Sequence, residues 1–219
     1  MEKVLLYVFD SSDVIIEGIM SWLSTFKNVE IAATAQSVNA AIRIIQNARI
    51  TEEQHAIVIT ELSFRKSGED QNDSGLLILK AIKESGKNLR AIVFTSLDEG
   101  HNIRKAMSDT YGAKGFVSKT AGRPAFIEAI ESVYFDKPYI QRELASKFSE
   151  IEELYASFTK TEKIILSEIQ KGLSNQQCAE KLGVSLRTVE NHISHIYTKT
   201  GIKDKFLLFK KIGWGGVIV

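Results

Sequence analysis

Five short apolar runs, each followed by a stretch with helical periodicity, limit what the first part of this 219-residue chain can fold into. The first run, Val4–Phe9, is continuously apolar, as expected of a strand buried on both faces of a sheet. The other runs lie at residues 30–35, 56–60, 91–95 and 115–118, and the helix-period stretches at residues 14–26, 38–48, 76–84, 102–111 and 124–134. This alternation predicts an α/β domain over residues 1–135, with a parallel sheet, helices on both faces and right-handed crossovers.

Polar residues stand where four of these runs end. Sheets of this kind bind their ligands at the carboxyl ends of the strands. The residues at those ends are Asp10, Glu61, Thr95 and Lys119. We therefore predict a polar site at that edge of the sheet. Residues 136–157 are helical in composition but lack apolar periodicity, and we interpret them as a connecting segment.

Signals for helix ends are dense after Phe158. Thr159–Glu162 has the form of a capping box, and Ser174–Gln177 repeats the pattern. Gly183 can close the second helix, and Ser185 can cap the helix that follows. Two short helices joined by Leu-Gly-Val, with a Ser-capped helix after them, form a helix-turn-helix. These signals predict an all-α domain of four helices over residues 158–213, followed by a tail at residues 214–219.

The helix after Ser185 has two contrasting faces at about 100° per residue. Val189, Ile193 and Ile196 share a narrow arc that should face the core. The opposite arc is polar and holds Arg187, Asn191, Ser194 and Thr198, with Glu190 and His195 on its flanks. Arg can bond guanine bidentately and Asn can bond adenine, so this face suits the major groove of double-stranded DNA. For any single residue, a merely solvated helix face explains the pattern equally well.

The distribution of charge favours the same partner. Residues 158–219 carry 10 Lys and Arg against 5 Asp and Glu, a balance of +5, whereas the whole chain has a net charge of +1. The rest of the chain is therefore acidic. A basic C-terminal part joined to an acidic N-terminal part indicates that the former meets a polyanion.

The C-terminal segment closely resembles the LuxR/NarL-type helix-turn-helix of bacterial transcription regulators. The resemblance covers about 55 residues and includes Gly172-Leu-Ser-Asn at the turn and Arg187-Thr-Val-Glu-Asn-His on the third helix. It implies that Glu190, Asn191 and Ser194 reach bases. It also implies that the DNA backbone is held by Arg187, Thr188, His192 and Lys199.

The N-terminal domain resembles a response-regulator receiver over its whole length, which implies a flavodoxin-like (βα)5 fold. In that family an acidic pair after the first strand and an aspartate after the third bind Mg²⁺, and that aspartate accepts a phosphoryl group. Asp10 matches the first acid, but Ser11 stands where the second belongs, and Glu61 stands at the acceptor position. The phosphoryl-contacting Thr95 and Lys119 are retained. Phe116 occupies the position of the aromatic switch residue.

We expect the two departures to impair the ordinary phosphate chemistry. With Ser11 in place of an acid, the cation site has one negative charge fewer. Glu61 projects its carboxylate toward the position that a phosphoryl group would occupy, where it could pair with Lys119. We hypothesise an atypical response regulator that is not switched by phosphorylation and is biased toward an active-like or dimeric state. An equal alternative is a decayed site in a domain that serves only for dimerisation.

Two further segments fall outside these patterns. The loop at residues 64–75 is longer than the usual turn and is similar to that of the capsule-synthesis (RcsB-like) branch of the family. It is either a partner-contacting loop or a tolerated polar insertion. The apolar residues of the last helix, Phe206, Leu207 and Phe209, predict a dimer contact, since paired half-sites favour two-fold proteins.

Other classes of function find less support in the sequence. No Walker loop, G-x-S-x-G elbow or Rossmann fingerprint is present, so we expect neither an enzyme nor a cofactor. His192 and His195 form an i, i+3 pair, but no Cys or carboxylate cluster completes a metal site, and both lie on the helix predicted to recognise DNA. We therefore expect no metal. An auxiliary subunit that binds DNA only as a heterodimer with a related regulator is the alternative.

The bulk composition sets the expected environment. No apolar run approaches the roughly 18 residues of a membrane span, and the N-terminal run is too short for a signal peptide. The single cysteine, Cys178, cannot form an internal disulfide, which fits a reducing compartment. We therefore expect a cytoplasmic protein, as a homodimer or a heterodimer.

Overall fold

The computed structural model describes residues 3–51, 53–64 and 74–212, without the side chains of residues 206, 209 and 210. Two compact units divide after Ala145, which lies inside the segment interpreted as a connection. The predictions for most of the 64–75 loop, for the 214–219 tail and for the side chains of Phe206 and Phe209 fall outside the described residues. Among those that are described, no helix is long and apolar enough to cross a membrane.

The first unit is a parallel sheet with the strand order β2-β1-β3-β4-β5-β6. Its strands are β1 (Val4–Phe9), β2 (Val29–Ala35), β3 (His55–Thr60), β4 (Leu89–Thr95), β5 (Gly115–Ser118) and β6 (Tyr139–Ile140). Its helices are α1 (Asp13–Leu23), α2 (Val38–Asn47), α3 (Gly75–Glu84), α4 (Gly100–Met107) and α5 (Gly122–Tyr134). The predicted α/β class and the five βα units are confirmed.

Successive side chains of a strand point to opposite faces of the sheet, so the core of this unit has a part on each face. Leu6 and Val8 of β1 belong to a buried cluster with α1 and α5, and the residues between and after them point to the opposite face. In that cluster Phe126 of α5 packs edge to face against Trp22 and Phe94, with ring centroids 5.5 and 5.1 Å away. The tightly packed core fixes the strands whose ends carry the predicted site.

A sixth strand lies where the sequence indicated only a connection. β6 pairs in parallel with the start of β5, and the amide of Gln141 continues the ladder by donating to the carbonyl of Phe116 at 3.1 Å. The side-chain oxygen of Gln141 accepts from the amide of Ser118 at 2.8 Å. Two residues are too few to show periodicity, so the sequence pattern did not reveal this strand.

The second unit is entirely helical. It consists of α6 (Ala145–Ser157), α7 (Lys160–Gln170), α8 (Asn175–Leu182), α9 (Leu186–Thr200) and α10 (Lys205–Ile212). Both predicted capping boxes are formed, at Thr159 with Glu162 and at Ser174 with Gln177. The side chain of Ser185 accepts from the amide of Thr188 at the start of α9. These caps fix where α7, α8 and α9 begin.

The core of the second unit lies between α7, α8 and α9. Ile165, Cys178, Val189 and Ile196 are almost fully buried there, so Cys178 packs as a core residue. The C-terminal half of α6 also belongs to this unit, because Tyr155 packs against the core and its hydroxyl donates to the carbonyl of Ile212 at 2.9 Å.

Candidate functional sites: a closed acidic pocket and a helix-turn-helix face

The sheet brings four of the predicted site residues together. β1 and β3 are neighbours with Phe9 opposite Thr60, so Asp10 and Glu61 follow side by side at the carboxyl edge. Thr95 ends β4, and Lys119 follows β5. Asp10, Glu61 and Thr95 are all buried. The parallel register alone therefore gathers two carboxylates, a hydroxyl and an ammonium group.

Lys119 binds both carboxylates of this pocket. Its Nζ lies 2.6 Å from Oδ2 of Asp10 and 2.5 Å from Oε2 of Glu61, and only 16% of its side chain is exposed. Burial by itself lowers the pKa of Lys119, but the hydrogen bonds and charges of Asp10 and Glu61 outweigh it. The pKa lies above its ordinary value. The lysine is therefore charged throughout the neutral range and bridges the two acids.

The second oxygen of Glu61 is also engaged. Oε1 accepts hydrogen bonds from the amides of Leu62 at 2.6 Å and Ser63 at 3.1 Å, and from the hydroxyl of Thr95. The Thr95 hydroxyl oxygen accepts in turn from the amide of Leu97 at 3.1 Å. Both oxygens of Glu61 thus have donors from the protein itself, three on Oε1 and Lys119 on Oε2.

Gly75 is a pocket residue that the sequence analysis did not single out. At the start of α3, a Cβ at this position would lie 1.8 Å from the backbone oxygen of Glu61, a distance that no side chain can adopt. The amide of Gly75 donates to the carbonyl of Leu62 at 2.9 Å. The close approach holds the backbone around Glu61, and the glycine is required for it.

The other two residues predicted for the pocket are Ser11 and Phe116. Ser11 follows Asp10 and is half-buried, and the next amide, of Ser12, donates to Oδ1 of Asp10 at 2.9 Å. Phe116 is fully buried within β5. Asp10 therefore has donors on both of its oxygens, one from the backbone and one from Lys119.

The outward face predicted for α9 is solvent-exposed. The exposed residues are Arg187, Glu190, Asn191, Ser194 and Thr198, while Thr188 and His192 are half-buried. The hydroxyl of Thr188 lies 2.8 Å from that of Ser185, and the hydroxyl of Thr198 donates to the carbonyl of Ser194 at 3.0 Å. The remaining side chains present Arg, Glu, Asn and Ser groups on one surface of a capped helix.

Lys199, predicted to contact DNA phosphates, is bound within its own unit. Its Nζ donates to Oε2 of Glu162 at 2.6 Å and to the carbonyl of Ser157 at 2.8 Å. Burial by itself raises the pKa of Glu162, but hydrogen bonds from Lys199 and from the Thr159 amide outweigh it, and the pKa is lowered. The pair ties the last turn of α9 to the start of α7.

A second buried glutamate of this unit also binds lysines. Glu168 accepts from Lys171 at 2.8 Å and from Lys181 at 2.6 Å. A hydrogen bond from Lys171 and a weaker contribution from that of Lys181 hold the pKa of Glu168 below its ordinary value. Lys181 is therefore paired at the protein surface.

Glu162 has two further neighbours that the sequence did not bring together. One ligand-type atom each from Glu162, His192 and His195 lies within 4.8 Å of the others. A signal for this was present in the helical wheel, because His192, His195 and Lys199 fall within about 60° of arc on one flank of α9. Their partner on α7 is 30 residues or more away in sequence.

The two sites define a class of protein: a parallel-sheet domain with an acidic pocket, followed by a capped helix-turn-helix. Residues 156–209 match the family model described as bacterial regulatory proteins, luxR family. The chain is 28% identical over 211 residues to the oxygen regulatory protein NreC of Staphylococcus epidermidis (strain RP62A), covering 90% of this chain and 91% of the relative. NreC of Staphylococcus aureus (strain MRSA252) is 27% identical over 210 residues with the same coverage.

Solved structures share the fold along the full length. A structure of two RcsB dimers bound to two parallel DNAs has a TM-score of 0.69 and 17% identity, covering 98% of this chain and 100% of that one. RcsB of Salmonella enterica serovar Typhimurium, bound to promoter P1flhDC with the phosphomimetic BeF3-, has a TM-score of 0.67 and 17% identity, with coverage of 97% and 98%.

Residues 156–209 thus match the luxR-family model, and the chain is similar along its length to regulators of the LuxR/NarL type. The resemblance stated from the sequence is confirmed. The expectation of a regulator rather than an enzyme agrees with relatives that are named as regulatory proteins.

Proposed function

We propose that this regulator binds DNA sequence-specifically through α9 and that its receiver is a pseudo-receiver, which does not use a phosphoryl group as its switch. The proposal of a pseudo-receiver rests on Lys119, whose ammonium group bonds both Asp10 and Glu61. DNA binding would then be governed by dimerisation or by a partner. Since its ligand is chromosomal DNA, we place the protein in the cytoplasm.

The pocket offers little to a magnesium ion. Mg²⁺ requires hard oxygen ligands in near-octahedral geometry. Asp10 already binds Lys119 and the Ser12 amide, and Ser11 brings no charge. An incoming cation would have to displace an ammonium group that is held by two carboxylates. Phosphoryl transfer in turn needs a cation to neutralise its developing charge.

The Glu61 side chain also resembles the phosphorylated aspartate that receivers of this family form at this position. Its carboxylate carries one negative charge, against about −1.5 to −2 for a phosphoryl group, and it binds the threonine and the lysine that contact phosphate in the family. These bonds favour one fixed arrangement of Thr95 and Lys119. We infer that the arrangement stands in permanently for the phosphorylated state.

The proposed DNA contacts divide by chemistry. Glu190, Asn191 and Ser194 are exposed on the outer face of α9 and are assigned to base edges. Arg187, Thr188 and Thr198 are assigned to the backbone, together with His192 and Lys199, although the ion pair of Lys199 must open or be shared for a phosphate contact.

We further propose a homodimer that uses α10. Leu207 on this helix is 53% exposed, so it offers an apolar side chain that a dimer contact would cover. A two-fold dimer would place two α9 helices on paired half-sites. RcsB, similar in fold, binds DNA as dimers in one solved structure.

Treatment with acetyl phosphate and Mg²⁺, followed by intact-mass measurement, tests the receiver. We expect no phosphoryl adduct and no change in DNA affinity. A matched control is the double variant Ser11→Asp with Glu61→Asp, which restores the acidic pair and the aspartate acceptor and should gain an adduct. A stoichiometric adduct on the natural chain would disprove the proposal.

A gel shift with the purified chain alone tests the DNA-binding half. Sequences selected from a random pool should bind in a salt-dependent manner. Asn191→Ala should weaken binding to the selected sequence by about 1–3 kcal/mol while leaving random DNA almost unaffected. Binding that appears only after a related regulator is added would favour the heterodimer instead.

A further inference from the structure

We propose that Glu162, His192 and His195 form a binding site for a divalent transition-metal ion of the zinc class. Glu162 lies in the first turn of α7, and the two histidines lie three residues apart on α9. One ligand-type atom of each residue lies within 4.8 Å of the other two. The site lies within the helical unit and is independent of the receiver pocket.

The spacing of the histidines suits a single ion. Residues at i and i+3 of a helix project on the same side, and the two rings have centroids 6.4 Å apart with planes at 88°. Tetrahedral coordination with bonds of about 2.0–2.1 Å places ligand atoms roughly 3.4 Å from one another. Side-chain rotations of the half-buried His192 and the exposed His195 would have to bring these atoms from within 4.8 Å to that spacing.

The donor set selects the class of metal. Two imidazole nitrogens and one carboxylate oxygen match the His₂Glu set that binds zinc with an open fourth position. Imidazole suits zinc, cobalt, nickel and copper, whereas magnesium and calcium prefer oxygen ligands throughout. We therefore expect Zn²⁺ and Co²⁺ to bind, and Mg²⁺ and Ca²⁺ not to compete.

The surroundings of Glu162 hold its carboxylate in place. Oε2 accepts from the Thr159 amide at 2.7 Å and from Lys199 at 2.6 Å, and Oε1 takes neither of these bonds. Hydrogen bonds that orient a ligand increase metal affinity. The ammonium group of Lys199 has the opposite effect, because it repels a cation at the neighbouring oxygen. Lys199 therefore weakens this site without blocking it.

Titration of the untagged full-length chain with Zn²⁺, and with Co²⁺ for its visible absorption, tests the site without DNA. We expect one ion per chain and the absorption of four- or five-coordinate Co²⁺. Replacing either histidine, as His192→Gln or His195→Gln, should weaken binding by about tenfold or more. His55→Gln and His101→Gln are the matched controls and should leave affinity unchanged.

Two further variants separate coordination from damage to the fold. Glu162→Gln should preserve the capping box, because glutamine fills the same position in the second box at Gln177. The variant loses the carboxylate, so it should weaken Zn²⁺ binding. Lys199→Gln should strengthen Zn²⁺ binding, an outcome that a destabilised fold does not produce. Equal affinity in all variants, or equal loss in the His55 and His101 controls, would overturn the proposal.

Discussion

Two buried glutamates, Glu61 in the sheet unit and Glu162 in the helical unit, are held by the same kinds of bond. Glu61 accepts two backbone amides and Glu162 accepts one, and each binds one lysine. They differ in which oxygens are used. Glu61 has donors on both, whereas the amide and lysine bonds of Glu162 share Oε2. A buried Glu–Lys pair thus occupies both oxygens at one site, whereas at the other it uses Oε2 of a glutamate that lies beside two histidines.

Removal of Lys119 should give the largest effect, because it leaves Asp10 and Glu61 buried without their shared cation. Lys119→Met is expected to cost about 3–5 kcal/mol of unfolding free energy, typical of a broken buried ion pair. Urea denaturation at neutral pH, followed by circular dichroism, measures it. A loss below 1 kcal/mol would mean that the pocket admits water and that the bridge is weak.

Gly75 provides the next test, since it permits α3 to approach the backbone of Glu61. Gly75→Ala should cost about 3 kcal/mol by overpacking, because the clash is with backbone. Gly18→Ala is the matched control. It lies within α1 with nothing within 4 Å of the added carbon, and should stabilise by about 0.5–1 kcal/mol. Equal effects in the same denaturation assay would contradict the close approach.

Lys199→Met should have a smaller effect than Lys119→Met, because it leaves only one carboxylate, which retains the Thr159 amide. We expect a loss of about 1–2 kcal/mol, measured as the change in the denaturation midpoint of the helical unit. If the two lysine variants cost the same, the difference drawn between the two glutamates is wrong.

The smallest effect is expected at Glu168, whose lysine partners are more than half exposed. The pKa of Glu168 is lowered, so its contribution to stability is present above the pKa of the unfolded chain and is lost as pH falls through the folded pKa. Stability should therefore decline below about pH 4, and Glu168→Gln should flatten that decline. Glu150→Gln, at an exposed position of α6, is the control that should leave the curve unchanged.

The sequence predicted features that depend on neighbouring residues. Apolar runs located five strands, and cap residues such as Thr159 and Ser185 located helix starts. Because parallel strands end at one edge, the gathering of Asp10, Glu61, Thr95 and Lys119 also followed from the pattern.

The features that the sequence did not predict depend on contacts between residues that are distant along the chain. β6 gains its pairing only from β5, and the need for Gly75 arises from a carbonyl 14 residues earlier in the chain. Lys199 was assigned to the DNA backbone by resemblance, which indicates a position on the helix but not the partner that lies there. Glu162, on another helix, is that partner.

The bond between Lys119 and Glu61 has a consequence for how such a regulator could receive information. A phosphoryl group arrives and leaves within the lifetime of a protein molecule, but a side chain does not. If the receiver is fixed as proposed, each molecule would keep one conformational state from synthesis to degradation. Promoter occupancy would then follow the number of copies in the cell, through the mass action of dimer formation, and the signal would lie in how fast the chain is made and removed.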